Sequence, residues 1–240
     1  MNILYIFPHP DDESFGPAAV MHQQIQAGHR VFLLTLTKGG ATKQRHKLGL
    51  SIAEMGEIRY KEMLAVKRTL GLHGMTVLDF PDSGLKELDP RILEKAVRTH
   101  IETIQPQVIV TYPVHGISGF HDHLVTHAVV KRVFVELKDQ GAHYLRRLAM
   151  LTLPDNGQPV FQDGGFRLKH TEHDLIDCIV PLSQEDMDML VKCLSCYETY
   201  QETIKESGVI EKVGDRLYFE LYGEDFDPVL SDLTERLPDV

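Results

Sequence analysis

The sequence predicts an α/β protein: a Rossmann-like three-layer fold with a mostly parallel sheet and a C-terminal elaboration. Three observations carry this prediction. Four short apolar runs in the first half lack polar alternation, which marks strands buried on both faces. Each run is followed by a stretch with helical features, the order of βαβ units. Polar clusters stand directly after three of the runs, where an open parallel sheet gathers its ligands.

The first run, Ile3–Phe7 (ILYIF), is followed by a helical stretch over Ser14–Ala27, with Gly28 placed to stop it. Val31–Leu36 (VFLLTL) leads through a basic, glycine-containing loop, Lys38–Gly49, to a helix near Ile52–Leu70. Within it Met63, Val66 and Leu70 fall on one face. Thr76–Phe80 (TVLDF) comes before Asp89-Pro90, an N-cap and first-turn pair for a helix over Ile92–Ile104. Val108–Tyr112 (VIVTY) precedes a helix over His123–Leu137. After residue 140 the pattern weakens. Leu148–Leu153 and Ile176–Val180 read as strands, and Ser183 with Asp186 opens a helix running to about Thr203. Arg216–Tyr222 (RLYFELY) is the last strand candidate, and the acidic, proline-containing tail from Asp225 reads as loosely held. No Pro/Ser linker, internal repeat or low-complexity block interrupts the chain. Residues 1–240 therefore read as one domain, with a core over about 1–137 and an elaboration over about 140–240.

Composition excludes several function classes. At 240 residues with 42% hydrophobic and 25% charged residues, the chain is ordinary globular protein. Its net charge of −10 argues against nucleic acid or an anionic membrane as partner. No apolar run approaches the roughly 20 residues that span a bilayer. The N-terminus, MNILYIFPHPDDE, has no basic leader and runs straight into acids, so it does not read as a signal peptide. Three cysteines suit a reducing cytoplasm better than a disulfide framework, and thirteen histidines invite a search for a metal site. Association into a homo-oligomer stays open.

Three polar clusters follow the first, third and fourth strand candidates: Pro8–Glu13, Asp79–Ser83 and Pro113–His123. Far apart in sequence, they are brought to one edge by this topology. A catalytic metal site commonly uses three His or carboxylate ligands and keeps one position open for water. His9 and Asp12 on a strand-to-helix turn can supply two, a histidine of the fourth loop a third, and Asp11 is adjacent to accept a proton. On spacing alone the alternative is that these acids interact with a helix dipole, and Glu13 is read that way.

The run PHPDDE resembles the (A/P)HPDDE signature of the LmbE-like, or PIG-L, zinc deacetylases, a superfamily of N-acetylglucosaminyl deacetylases that includes mycothiol- and bacillithiol-pathway enzymes. Arg59 and Glu62 followed by Leu70-Gly71, the loop Phe80-Pro81-Asp82-Ser83, and Gly116–Gly119 leading to Asp122-His123 resemble its further motifs in order. The resemblance covers about residues 1–130 well and the rest loosely. It implies zinc (or another divalent transition metal) held by His9, Asp12 and His123, with Asp11 as general base. It implies sugar contacts from Arg59 and Asp82, and an orienting role for Asp122 beside the last ligand. The implied reaction is hydrolysis of an N-acetyl group from a small N-acetylglucosamine-type molecule. Other readings are a sugar- or metal-binding module of the same fold with weak or lost catalysis, and a de-N-acylase for another amide.

One departure stands out. The family carries an oxyanion-stabilising histidine three residues before the last ligand, and this chain has Phe120 there, with His121 beside it. Either His121 reaches the site by a different loop path, or the metal suffices, or the hydrolase is weak or specialised. His115 can also contribute. His127, four residues after His123 on the same helical face, is a substrate-contact candidate or plain packing. Cys193 and Cys196, although spaced as CxxC, read as packing residues inside a helix. The basic loop Lys38–Lys47 matches no nucleotide-binding motif and reads as a mobile loop, with contact to an acidic substrate group as the alternative.

Overall fold

The computed structural model describes residues 1–155, 157 and 168–238. In chain order its strands are β1 (Asn2–Phe7), β2 (Arg30–Thr37), β3 (Gly74–Phe80), β4 (Val108–Thr111), β5 (Arg147–Thr152), β6 (Cys178–Pro181) and β7 (Arg216–Leu221). They form one sheet in the order β3-β2-β1-β4-β5-β7-β6. The first five run parallel, and β7 enters antiparallel between β5 and β6. Because β2 and β3 go to one side of β1 and β4 and β5 to the other, a crevice opens at the carboxyl ends of β1 and β4.

Alternate residues of β1 feed the two faces. Ile3, Tyr5 and Phe7 pack with α1 (Pro17–Gln26), α3 (Ile52–Leu70) and α6 (Gln184–Ser195). Leu4 and Ile6 pack with α4 (Pro90–Ile104) and α5 (His121–Asp139). Ile3–Phe7 are all 0% exposed, so the continuous apolar run does mark a strand covered on both sides. Burying each such side chain is worth about 1.5–3 kcal/mol.

Capping chemistry sets the helix ends, at Asp89 and Ser183 as the sequence predicts and at Ser51 as the structure adds. Ser51 and Glu54 form a reciprocal capping box at the start of α3, and Gly71 ends that helix in a left-handed conformation. Asp89 caps α4 ahead of Pro90, and Ser183 with Asp186 caps α6. The basic loop carries a short helix, α2 (Gln44–Leu48), and is tied down: Lys47 pairs with Glu202, and Gln44 donates to Thr203 at 2.7 Å.

Three expectations need correction. The first helix begins at Pro17 rather than Ser14, because the preceding turn passes through Asp11 (φ 82°) and Gly16 (φ 136°). The helix from Ser183 stops at Ser195 instead of reaching Thr203, and the chain turns before α7 (Gln201–Ser207) and α8 (Val209–Val213). The Glu62 carboxylate accepts the Thr199 amide (2.8 Å) and hydroxyl (2.9 Å), so a tertiary acceptor replaces the intrahelical one. The described part of the tail from Asp225 is also firmly held. Fully buried Arg147 forks onto Glu224 (2.9 and 2.7 Å) and donates to the carbonyls of Leu233 (2.6 Å) and Glu235 (2.8 Å). Leu230 exchanges backbone bonds with Asp177 and Ile179, covering the outer edge of β6. Among the described residues, no helix is long and apolar enough to cross a membrane.

Candidate active site

The loop after β1 carries His9, Asp11 and Asp12, and the loop after β4 leads into α5 with Asp122 and His123. The loop after β3 adds Asp82, and α3 adds Arg59. Two glycines let these segments close together. A Cβ on Gly116 (φ 62°) would stand 2.7 Å from the His123 Cβ, and one on Gly39 (φ 64°) 2.5 Å from the Arg59 guanidinium.

His9, Asp12 and His123 offer donor atoms that all lie within 4.8 Å of one another. The His123 Nδ1 lies 3.0 Å from the Gly116 carbonyl, which can only accept, so Nδ1 carries the proton and Nε2 presents its lone pair 3.6 Å from Asp12 Oδ1. The His9 Nε2 lies 3.2 Å from both Asp82 Oδ1 and Asp122 Oδ2, leaving Nδ1 on the Asp12 side at 3.6 Å. Burial works to lower the His9 pKa, but its hydrogen bonds to Asp12, Asp122 and Asp82 raise it well above the usual imidazole value. Burial works to raise Asp12, yet His123, His9 and the Tyr112 hydroxyl hold it below the usual carboxylate range. A pocket with Asp11, Asp12, Asp82, Asp122 and Glu13 against Arg59 and the imidazoles carries an excess of negative charge that a divalent cation offsets. Two imidazoles and one carboxylate fit a transition metal such as zinc. His9, Asp82 and Asp122 form a second, overlapping group. Its carboxylates are already occupied by the amides of Ala41, Ser83 and Leu85, which favours the first set.

Asp11 sits beside this set. Its Oδ2 accepts from Arg59 at 2.6 Å, while its amide donates to the Tyr197 hydroxyl at 2.9 Å. Burial pushes its carboxyl up to about 7 against the pull of Arg59, with Asp12 and Glu13 adding to the rise. A general acid–base group at that value serves both directions of proton transfer near neutrality. Arg59 itself is 2% exposed and also donates to the carbonyls of Pro10 (2.6 Å) and Gly39 (3.1 Å), with Tyr200 stacked 4.1 Å away.

The structure thus brings His9, Asp11, Asp12, Arg59, Asp82, Asp122 and His123 together. It does not bring in His121, which is exposed at the start of α5 and lies two residues from His123, on a different side of the helix. His127 is buried, and its Nδ1 donates to the Tyr112 carbonyl at 2.9 Å. His115 is engaged at both nitrogens, by the Ile117 amide and the Thr171 hydroxyl, and pins the loop that leads into α5. Phe120 sets its ring edge-on to His123 at 5.7 Å. Glu13, expected to face a helix dipole, is instead fully buried and accepts from Ser14 and Tyr197, both at 2.6 Å. Cys193 is a buried core residue, as expected, and all three cysteines are free.

Two residues of the site were not anticipated. Tyr112 donates to Asp12 Oδ1 at 2.7 Å and stacks on His123 at 4.3 Å, so it touches two members of the donor set. A hydroxyl ending an otherwise aliphatic run was the legible signal. Tyr197, from the C-terminal elaboration, had none.

The family described as GlcNAc-PI de-N-acetylase, PIG-L, matches residues 4–134. The chain is 30% identical over 167 residues to the 1D-myo-inositol 2-acetamido-2-deoxy-alpha-D-glucopyranoside deacetylase of Kineococcus radiotolerans, covering 58% of this chain and 46% of that one. It is 30% identical over 200 residues to the mycothiol S-conjugate amidase of Streptomyces coelicolor, covering 74% and 66%. The chain thus spans about half to two thirds of the length of these relatives. Among solved structures, a zinc-inhibited teicoplanin deacetylase superposes with a TM-score of 0.69 over 92% of this chain and 97% of that one, at 17% identity, a likeness of fold. The motifs in the first half, the sheet that gathers them and the match over residues 4–134 agree: the chain belongs to the PIG-L family.

Proposed function

We propose that this protein is a metal-dependent amidohydrolase that removes the N-acetyl group from a small N-acetylglucosamine-type molecule, with zinc as the ion. The observation that carries the reading is the pair of ring nitrogens, His9 Nδ1 and His123 Nε2, turned toward Asp12 next to a buried Asp11. An ion held there supplies Lewis-acid polarisation of the scissile carbonyl and makes a water acidic enough to attack near neutral pH.

The protein's own groups do the rest. Asp11 Oδ2 is fixed by Arg59, which leaves Oδ1 to take the water's proton. The carbonyl carbon becomes tetrahedral, and as the C–N bond breaks the same carboxyl returns the proton to the departing nitrogen. The products are acetate and the free amine. The names of the two relatives, a deacetylase of a 2-acetamido sugar and an amidase, support an amino-sugar amide as the substrate class.

The test is amine release from N-acetylglucosamine and a panel of its glycosides, by chelator-treated protein with and without added Zn²⁺. The expected result is release that requires the ion, with Asp11→Ala binding the ion normally but losing turnover by about 10²–10⁴. Stoichiometric ion binding without release from any panel member would overturn the reading in favour of a binding module or a hydrolase of another amide.

A further inference from the structure

The resemblance assigns Asp82 to the sugar, but its surroundings assign it another task. Both of its oxygens are taken up by the protein. Oδ1 lies 3.2 Å from His9 Nε2, and Oδ2 accepts the Ala41 amide at 2.6 Å. The carboxylate is mostly buried, with the side chain 9% exposed. Asp122 meets the same His9 nitrogen from the other side at 3.2 Å, and is itself fixed by the amides of Ser83 (2.8 Å) and Leu85 (3.2 Å). The ring of His9 is therefore held at Nε2 by two carboxylates, each immobilised by backbone from a different crossover loop.

We propose that Asp82 is a positioning residue for His9: it sets the rotation of the imidazole and keeps the proton on Nε2, so that Nδ1 offers its lone pair to a metal ion. A carboxylate accepting from the far nitrogen of a ligand histidine fixes the tautomer, orients the ring and raises the donor strength of the other nitrogen. Asp82 also couples the site to the loop after β2. Its bond to Ala41 anchors the same stretch whose Gly39 carbonyl receives Arg59, so one carboxylate stabilises the ligand and the frame of the base together. The inference rests on the reading of His9, Asp12 and His123 as the ion-holding set.

The experiment is Co²⁺ binding to chelator-treated wild type, Asp82→Asn and Asp82→Ala, followed by visible absorption and competition with a chromophoric chelator. Turnover at saturating ion is measured alongside. Asp82→Asn preserves shape and an acceptor for the Ala41 amide, which guards against simple misfolding. The expected result is Co²⁺ affinity lower by about 10–100-fold in Asp82→Ala, a smaller loss in Asp82→Asn, and a KM for the amino sugar within about threefold once the ion saturates. Unchanged Co²⁺ affinity with a KM raised tenfold or more would return Asp82 to the sugar and overturn the proposal. Wild type that binds no Co²⁺ would instead bring down the ion-site reading, and the positioning role with it.

Discussion

The Asp11 amide donates to the Tyr197 hydroxyl at 2.9 Å, a bond that joins the first strand's loop to a residue 186 positions later. Asp11 has φ 82°, a left-handed conformation that a non-glycine residue holds only when its surroundings impose it. The surroundings here are Tyr197 on its amide, Arg59 on its carboxylate and on the Pro10 carbonyl, and the Ser14 and Phe15 amides on its own carbonyl. Tyr197→Phe leaves a buried N–H without a partner and costs about 1–3 kcal/mol. We expect faster amide hydrogen exchange confined to residues 8–16, a lower kcat, and unaltered affinity for the ion. Exchange there at the wild-type rate would show that the turn is held without Tyr197.

Phe120 gives a second prediction. Its ring lies edge-on to His123 at the position where the family motif carries an oxyanion donor, and His121 points elsewhere. One such donor is worth about 10²–10³ in kcat. Phe120→His should therefore raise kcat toward that factor with little change in KM. A kcat equal to wild type would place the donor in another group.

His115 should leave a signature in the pH dependence of stability. Burial, then the positive charges of His170, Lys169 and His127, lower its pKa from 6.5 to about 4. Between those values the unfolded chain binds more protons at this site than the folded one, so stability falls as pH drops from about 6.5 to 4 and levels off below. His115→Gln removes this contribution. Urea unfolding at pH 7 and pH 4.5 should show a smaller loss for the variant than for wild type; equal losses would refute it.

Arg147 supports the far end of the sheet. It is buried, paired with Glu224, and satisfies carbonyls of the tail. Arg147→Met strands Glu224 and those carbonyls, with an expected cost of about 3–5 kcal/mol. Limited proteolysis should then cut beyond Asp225 well before the core opens. A variant that resists cleavage like wild type would mean that Leu230 and its neighbours hold the tail alone.

Legibility in the sequence followed locality. Strands β1–β4 and helices α3 and α4 were readable because apolar runs, the helical spacing of Met63, Val66 and Leu70, and an Asp-Pro start are local signals. The meeting of His9 and Asp12 with a histidine of the fourth loop was readable because parallel topology sends those loops to one edge, and the family resemblance singled out His123 as that histidine. Features set by distant partners were not legible. The stop of α6 depends on Glu62 reaching Thr199, and the order of the tail depends on Arg147. Tyr197 was unreadable because a tyrosine in an amphipathic stretch looks the same whether it faces core or cleft. The exposed direction of His121 required knowing that α5 starts at that residue.

The place of Tyr197 and Tyr200 between α6 and α7, late in the chain, has a consequence for the order in which the molecule is made. The residues that carry the family motifs, His9 through His123, leave the ribosome first, yet Tyr197 and Tyr200 emerge some seventy residues later, as sequence position dictates. Until then Asp11 lacks the hydroxyl that fixes its amide and Arg59 lacks the ring stacked on it. The nascent chain can thus carry every motif residue while its pocket is still unfinished. A segment ending near residue 137 leaves the pocket unfinished, and transplanting it into another scaffold would carry His9, Asp12 and His123 without the Tyr197 bond that fixes Asp11.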